Sequence, residues 1–152
     1  MVAARTRFAI ALIGTILLDQ ATKYLLRHRV AGYTTDLIPG LIRITPTTNT
    51  GAAFGILQNS SLLLSIASII IIGILLYVFR DLAAHPWASI FTGAVIGGAI
   101  GNLVDRLLYG AVTDFIDLRF WPATFNLADL AITIGAIGIV SLQIWSKRPV
   151  IK

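Results

Sequence analysis

The chain has 152 residues, of which 57% are hydrophobic and only 12% charged, where soluble domains carry about 25% charged residues. This is a membrane composition, and it leaves no length for a soluble catalytic domain beside several spans. The net charge is +5, with no cysteine and only His28 and His85 as histidines; disulfides, thiol nucleophiles, thiolate metal ligands and lipidation of the chain itself on cysteine are excluded, and neither a histidine metal site nor a nucleic-acid partner is expected.

A span needs about 20 largely apolar residues, and four segments qualify, at about 8–26, 62–79, 87–103 and 127–145. The first opens with Arg5 and Arg7 and resembles a signal peptide in that respect. No small-residue cleavage site follows, and Asp19, Gln20 and Lys23 continue the helical pattern, so it is read as a span. The loop from 27 to 61 holds LIPGLIRITPT, a Pro-Gly turn followed by Ile42 and Ile44 alternating with Arg43 and Thr45; that period of two predicts a small β element at the membrane surface. Span three repeats Gly93, Gly97 and Gly101, and span four has Ala131, Gly135 and Gly138, small stripes that let helices approach closely. Close packing of spans three and four is expected. Four spans place both termini on one side, and six Lys or Arg residues against five in the alternate loops assign that side to the cytoplasm. The chain is read as a single membrane-embedded domain, 1–152.

Charge inside such a chain is costly, about 2.5 to 3.5 kcal/mol per residue on insertion scales, so each polar cluster is a functional candidate. Asp19 and Lys23 stand i,i+4 in the favourable order for a pair. NTGAAFG, residues 49–55, offers Asn49, Thr50 and the permissive Gly51. GNLVDR sets Asn102, Asp105 and Arg106 on one helix face, the last two able to neutralise each other or nearby partners. VTDFIDLRFWPATFNLAD holds Asp114, Asp117, Asn126 and Asp129, so that with Asp105 four of the seven acids, all aspartates, gather here. In an extended segment Asp114 and Asp117 face opposite ways. A turn at Pro122 would bring Asp114 back toward Asp129, which itself suits the first turn of a helix as a capping acid.

Two carboxylates held together share a proton and their apparent pKa values split. One then accepts a proton from water while the other donates to a carbonyl, which is aspartic-protease chemistry and needs no Ser, Cys or metal. By residue type alone, Asp114 with Asp129 is one of several pairs the seven acids allow. A transporter, a passive assembly subunit and a Ser-Lys peptidase built on Lys23 with Ser65 or Ser68 are the other classes open to such a chain. The polar groups crowd one end of the spans, whereas a transport path would cross them.

DQATK at 19–23, NTGAAFG at 49–55, GNLVDR at 101–106, VTDFID at 112–117 and FNLAD at 125–129 occur in the order of the bacterial signal peptidase II family, lipoprotein signal peptidases, which the chain resembles over nearly its whole length. The resemblance implies an all-α integral membrane protein: four transmembrane helices, a small extracytoplasmic β cradle that would include 41–45, and a short surface helix at about 118–124. It implies an intramembrane aspartic endopeptidase without cofactor or metal. Such an enzyme cuts diacylglyceryl-modified prolipoproteins just before the lipidated cysteine. Carried over by motif, the catalytic pair falls on Asp114 and Asp129. The supporting positions fall on Asp19, Lys23, Asn49, Gly51, Asn102, Asp105, Arg106 and Asn126. Partners would be the lipidated substrate and membrane lipids. The enzyme would be a monomer in the bacterial cytoplasmic membrane, with both termini cytoplasmic and the site near the outer face. Gly55 and Leu130 depart from the family's usual residues, Leu130 beside Asp129, without removing a required group.

Overall fold

The computed structural model describes residues 2–27, 29, 33–52, 56–82 and 85–146. Gly55, the basic C-terminal residues and His28 lie outside them. In chain order the elements are α1 (Val2–Arg27), β1 (Thr35–Ile38), β2 (Ile42–Asn49), α2 (Ser61–Leu82), α3 (Pro86–Tyr109), β3 (Val112–Leu118), β4 (Thr124–Phe125) and α4 (Leu127–Ser146). Each of the four apolar segments is a helix. Two of them, α3 and α4, are long and apolar enough to cross a membrane, and α2 has a shorter apolar stretch, Ser61–Tyr77. Large apolar side chains cover the exterior: Leu17 and Leu18 on α1, Ile70 and Ile74 on α2, and Ile137 and Ile144 on α4 are all more than half exposed. An apolar surface of that extent is what an oily solvent stabilises.

Helix α3 packs against α1, α2 and α4. Its start is set by His85, whose ring accepts from the Trp87 N–H, with Pro86 in the first turn where its missing N–H costs nothing. It stops at Gly110, which takes φ 73° and returns its N–H to the Arg106 carbonyl. Helices α3 and α4 pack closely, as expected, and the small residues divide between two neighbours. The stripe of Gly93, Gly97 and Gly101 faces α1, not α4: a Cβ on Gly93 would meet the Phe8 carbonyl, and one on Gly97 the Leu12 carbonyl. Contact with α4 falls to Gly98, beneath the Ala128 carbonyl, and to Gly135 and Gly138, which receive Val95 and Phe91. Helix α3 therefore uses two small-residue faces, one for each neighbour.

The strands form one antiparallel sheet in the order β1-β2-β3-β4. The strand pattern at 41–45 is part of the longer β2, and β1 joins it across the turn at Gly40 (φ 75°). Arg43 and Asp117 stand directly opposite on β2 and β3 and are ion-paired. The surface helix expected at 118–124 is absent. Ile116 pairs with Phe125 and Asp117 with Thr124, so residues 118–123 must reverse the chain. A turn in which the Trp121 N–H donates to the Leu118 carbonyl does this, in a span too short for a helix as well.

Candidate active site

The sheet rests on the C-terminal ends of α1 and α3 and the start of α4. Asp114, on β3, is 2% exposed. Asp117, three residues on, turns the other way to Arg43, as strand alternation requires. Helix α4 starts with Asn126 as its cap, and Asp129 is in its first turn. Asp114 and Asp129 line one cavity of about 490 Å³. Asp19 and Asp105 meet elsewhere, around Lys23.

Three asparagines surround the two acids, and in each a donor on Oδ1 fixes which way the amide faces. Asn49 Oδ1 accepts from the Gly51 N–H (2.9 Å), so its Nδ2 donates to Asp114 Oδ2 (3.0 Å). Asn126 Oδ1 accepts from the Asp129 N–H (2.9 Å), and its Nδ2 donates to Asp114 Oδ1 (2.7 Å). Asn102 Oδ1 accepts from Lys23 Nζ (2.7 Å), and its Nδ2 donates to Asp129 Oδ1 (2.8 Å). The Asn126 N–H completes the set with a bond to Asp129 Oδ2 (3.2 Å). All four carboxylate oxygens thus accept from the protein, which holds both groups in place. Burial, and after it the charge of Asp129, push the Asp114 carboxyl up to about 6, against the opposing donors Asn49 and Asn126 and the more distant charge of Lys23.

Beneath the asparagines lies a second polar layer. Lys23 pairs with Asp19 at 2.9 Å and approaches Asp105 at 3.7 Å, all three side chains fully buried. The expected Asp19–Lys23 pair is therefore real, and it is enclosed. Asp19 also accepts from the Ala128 N–H (3.0 Å), tying α1 to the first turn of α4. Gly101 is where Asp19 crosses α3, and a Cβ there would strike its carboxylate. Asp105 does not pair with Arg106. It bonds Arg27 (2.9 Å) and the Thr113 N–H (2.9 Å), which fixes the residue before Asp114. Arg106 lines the cavity and donates to the Gly51 carbonyl at 3.4 Å, and its Nε is buried without a partner among the described residues. Gly51 is required by close approach, since a Cβ would sit 2.6 Å from the Ile56 carbonyl.

The sequence reading missed Arg27 and Thr113. Arg27 donates to Thr113 Oγ1 (3.0 Å) and lies 3.6 Å over the Tyr109 ring, locking α1 to β3 and the end of α3. The clue was its spacing: Asp19, Lys23 and Arg27 are each four apart on one helical stripe. Among the described residues no cluster of acids and histidines suits a metal ion.

Residues 10–145 match the family model described as signal peptidase (SPase) II. The lipoprotein signal peptidase of Brevibacillus brevis is 42% identical over 134 residues, covering 86% of this chain and 89% of that protein. That of Halothermothrix orenii is 36% identical over 142 residues, covering 93% and 97%. A solved structure described as a bacterial membrane enzyme superposes with a TM-score of 0.87 at 32% identity, over 95% of this chain and 92% of that one. The chain is a membrane protease of lipoprotein processing and belongs to the signal peptidase II family.

Proposed function

We propose that Asp114 and Asp129 are an aspartic dyad that hydrolyses the peptide bond just before a diacylglyceryl-modified cysteine in prolipoproteins. The observation that carries this is the pair itself, at the head of an apolar-walled cavity, with every carboxylate oxygen held by an amide or backbone N–H.

Asp114, the more deeply buried, holds its proton; Asp129 is charged. Asp129 takes a proton from water as the oxygen attacks the scissile carbonyl, and Asp114 gives its proton to the carbonyl oxygen. The resulting diol collapses with proton transfer from Asp129 to the leaving nitrogen, and Asp114 recovers a proton from the diol. The products are the signal peptide's new carboxyl group and the cysteine's free amine. Asn49, Asn102 and Asn126 hold the acids, and Lys23 holds Asn102. Asp19, Asp105 and Gly51 hold those residues in turn, and Arg106 lines the cavity that would receive the substrate.

In the same reading all four helices span the bacterial cytoplasmic membrane, with both termini cytoplasmic and the sheet at the outer face. The chain works as one domain and as a monomer. The cavity is open to lipid, and acyl chains contribute about 0.8 kcal/mol per buried CH₂, so the substrate's lipid supplies much of its recognition.

The test is cleavage of a diacylglyceryl-modified prolipoprotein in liposomes, beside an unmodified copy. The wild type should cut only the lipidated form. Asp114→Asn and Asp129→Asn should fold and lose about a thousandfold or more in rate, while Asp117→Asn should keep activity within about fivefold, the scale of one partly exposed ion pair. Normal cleavage by either of the first two variants removes the dyad assignment.

A further inference from the structure

A second cavity, of about 300 Å³, adjoins the first. The two share Asn49, Asp114, Ala123 and Thr124, so Asp114 stands at their junction. Their remaining walls differ in kind. The larger cavity runs between α3 and α4, past Asn102 and Arg106 and down to Ile132 and Thr133. Thr133 is four residues along α4 from Asp129, about 6 Å at 1.5 Å per residue. The smaller cavity touches no helix. Its own lining is Thr47 and Thr48 of β2, Gln58 before α2, and Pro122 in the β3–β4 connection.

A peptide whose scissile bond reaches Asp114 from the helix side must continue somewhere, and this is the open space beyond the acid. Its volume is about ten times the roughly 30 Å³ share of a water in the liquid, far more than one attacking water needs. Its walls are hydroxyl, amide, alanine and proline groups, with Asp114 the only charge among the described residues. Such a lining is more polar than that of the larger cavity and suits an extended chain better than an acyl chain. Holding both sides of the bond is also what fixes it for attack.

We infer that this cavity is a product-side subsite. It binds the polar residues that follow the lipidated cysteine, while the larger cavity holds the signal peptide and the lipid carried by that cysteine. The inference rests on the function proposed above.

Gln58 is exposed at its rim, its Oε1 accepting from Thr50 Oγ1 at 2.9 Å, and Thr48 is exposed beside it. The experiment uses lipidated prolipoproteins with Asp-Asp, Ser-Ser or Lys-Lys after the cysteine, and the intact enzyme in liposomes at low salt. Gln58→Lys should raise kcat/KM for Asp-Asp over Lys-Lys by about tenfold relative to wild type, and Gln58→Glu should reverse the sign. Thr48→Lys and Thr48→Glu repeat the test from the strand, should a change at Gln58 disturb its loop. A preference that is unmoved in all four cleaving variants overturns the subsite, as does a charge preference that follows residues before the cysteine instead. A wild type that cuts no lipidated substrate would instead sink the function reading, and the subsite with it.

Discussion

Asn126 and Asp129 bond each other twice. The Asp129 N–H donates to Asn126 Oδ1 at 2.9 Å, and the Asn126 N–H donates to Asp129 Oδ2 at 3.2 Å. This is a reciprocal cap of the capping-box kind, closing the first turn of α4. The same two side chains also hold the acid pair, because Asn126 Nδ2 reaches Asp114 at 2.7 Å. Helix capping and carboxylate placement are here one piece of structure.

That double duty can be split by substitution. Asn126→Ser keeps a good cap but cannot reach Asp114, so stability should stay within about 0.5 kcal/mol while cleavage falls about tenfold, on the order of one lost hydrogen bond. Asn126→Ala loses both and should unfold about 1 kcal/mol more readily. Thermal unfolding in detergent beside a cleavage assay reads the two effects; equal activity in Asn126→Ser and wild type would remove Asn126 from the dyad's support.

The dependence on pH follows from Asp114, whose carboxyl lies at about 6. Its proton is held below that value and lost above it, so kcat/KM should fall as pH rises past about 6. The sign for stability is the same. The folded value lies above the unfolded one, so the contribution is complete below about 4 and is lost as pH rises through about 6. A kcat/KM that climbs steadily from pH 5 to 8 would show that the singly protonated pair is not the active form.

Lys23 sits among Asp19, Asp105 and Asn102 with no exposure. Lys23→Met strands the buried Asp19 and takes the charged donor from Asn102 Oδ1; the expected cost is about 3 kcal/mol. In Asp19→Asn/Lys23→Met no unpaired charge remains at Asp19, and most of that loss should return. Cleavage should stay depressed in the double variant, because Asn102 has lost its shorter, charged donor and keeps only Asn126 Nδ2 at 3.2 Å. Recovery of stability and rate together would assign the pair to packing alone.

The glycines divide by what surrounds them. A Cβ on Gly98 would lie 2.5 Å from the Ala128 carbonyl, whereas one on Gly73 of α2 would meet nothing within 4 Å. Gly98→Ala should lower stability by about 1 to 3 kcal/mol through overpacking. Gly73→Ala should raise it by about 0.5 to 1 kcal/mol through helix propensity. Melting of both variants in one detergent decides it, and a destabilised Gly73→Ala would mean that α2 has a neighbour at that face.

The helices were legible because their apolar pattern is long and local, although the run at 87–103 stops short of Tyr109, where α3 ends, because its last turns are polar. Asp114 and Asp129 were legible as a candidate pair because so few acids compete for the role. What the sequence hid was the identity of partners. Gly93, Gly97 and Gly101 announce a close approach, but nothing local says whether α1 or α4 makes it. Asp105 could as well have paired with its neighbour Arg106; Arg27, 78 residues away, takes it instead. Strand β4 is two residues long, too short for any period to show, and nothing local contradicted the surface helix that the family resemblance implied before it.

The bond from the Ala128 N–H to Asp19 joins residues 109 positions apart. Asp19 lies on α1 and Ala128 in the first turn of α4, so this one bond ties the helix that carries the buried lysine to the helix that carries Asp129. A shift of α1 along α3 would therefore reach Asp129 through a single backbone N–H, and the polar layer beneath the cavity sets the position of the helix above it.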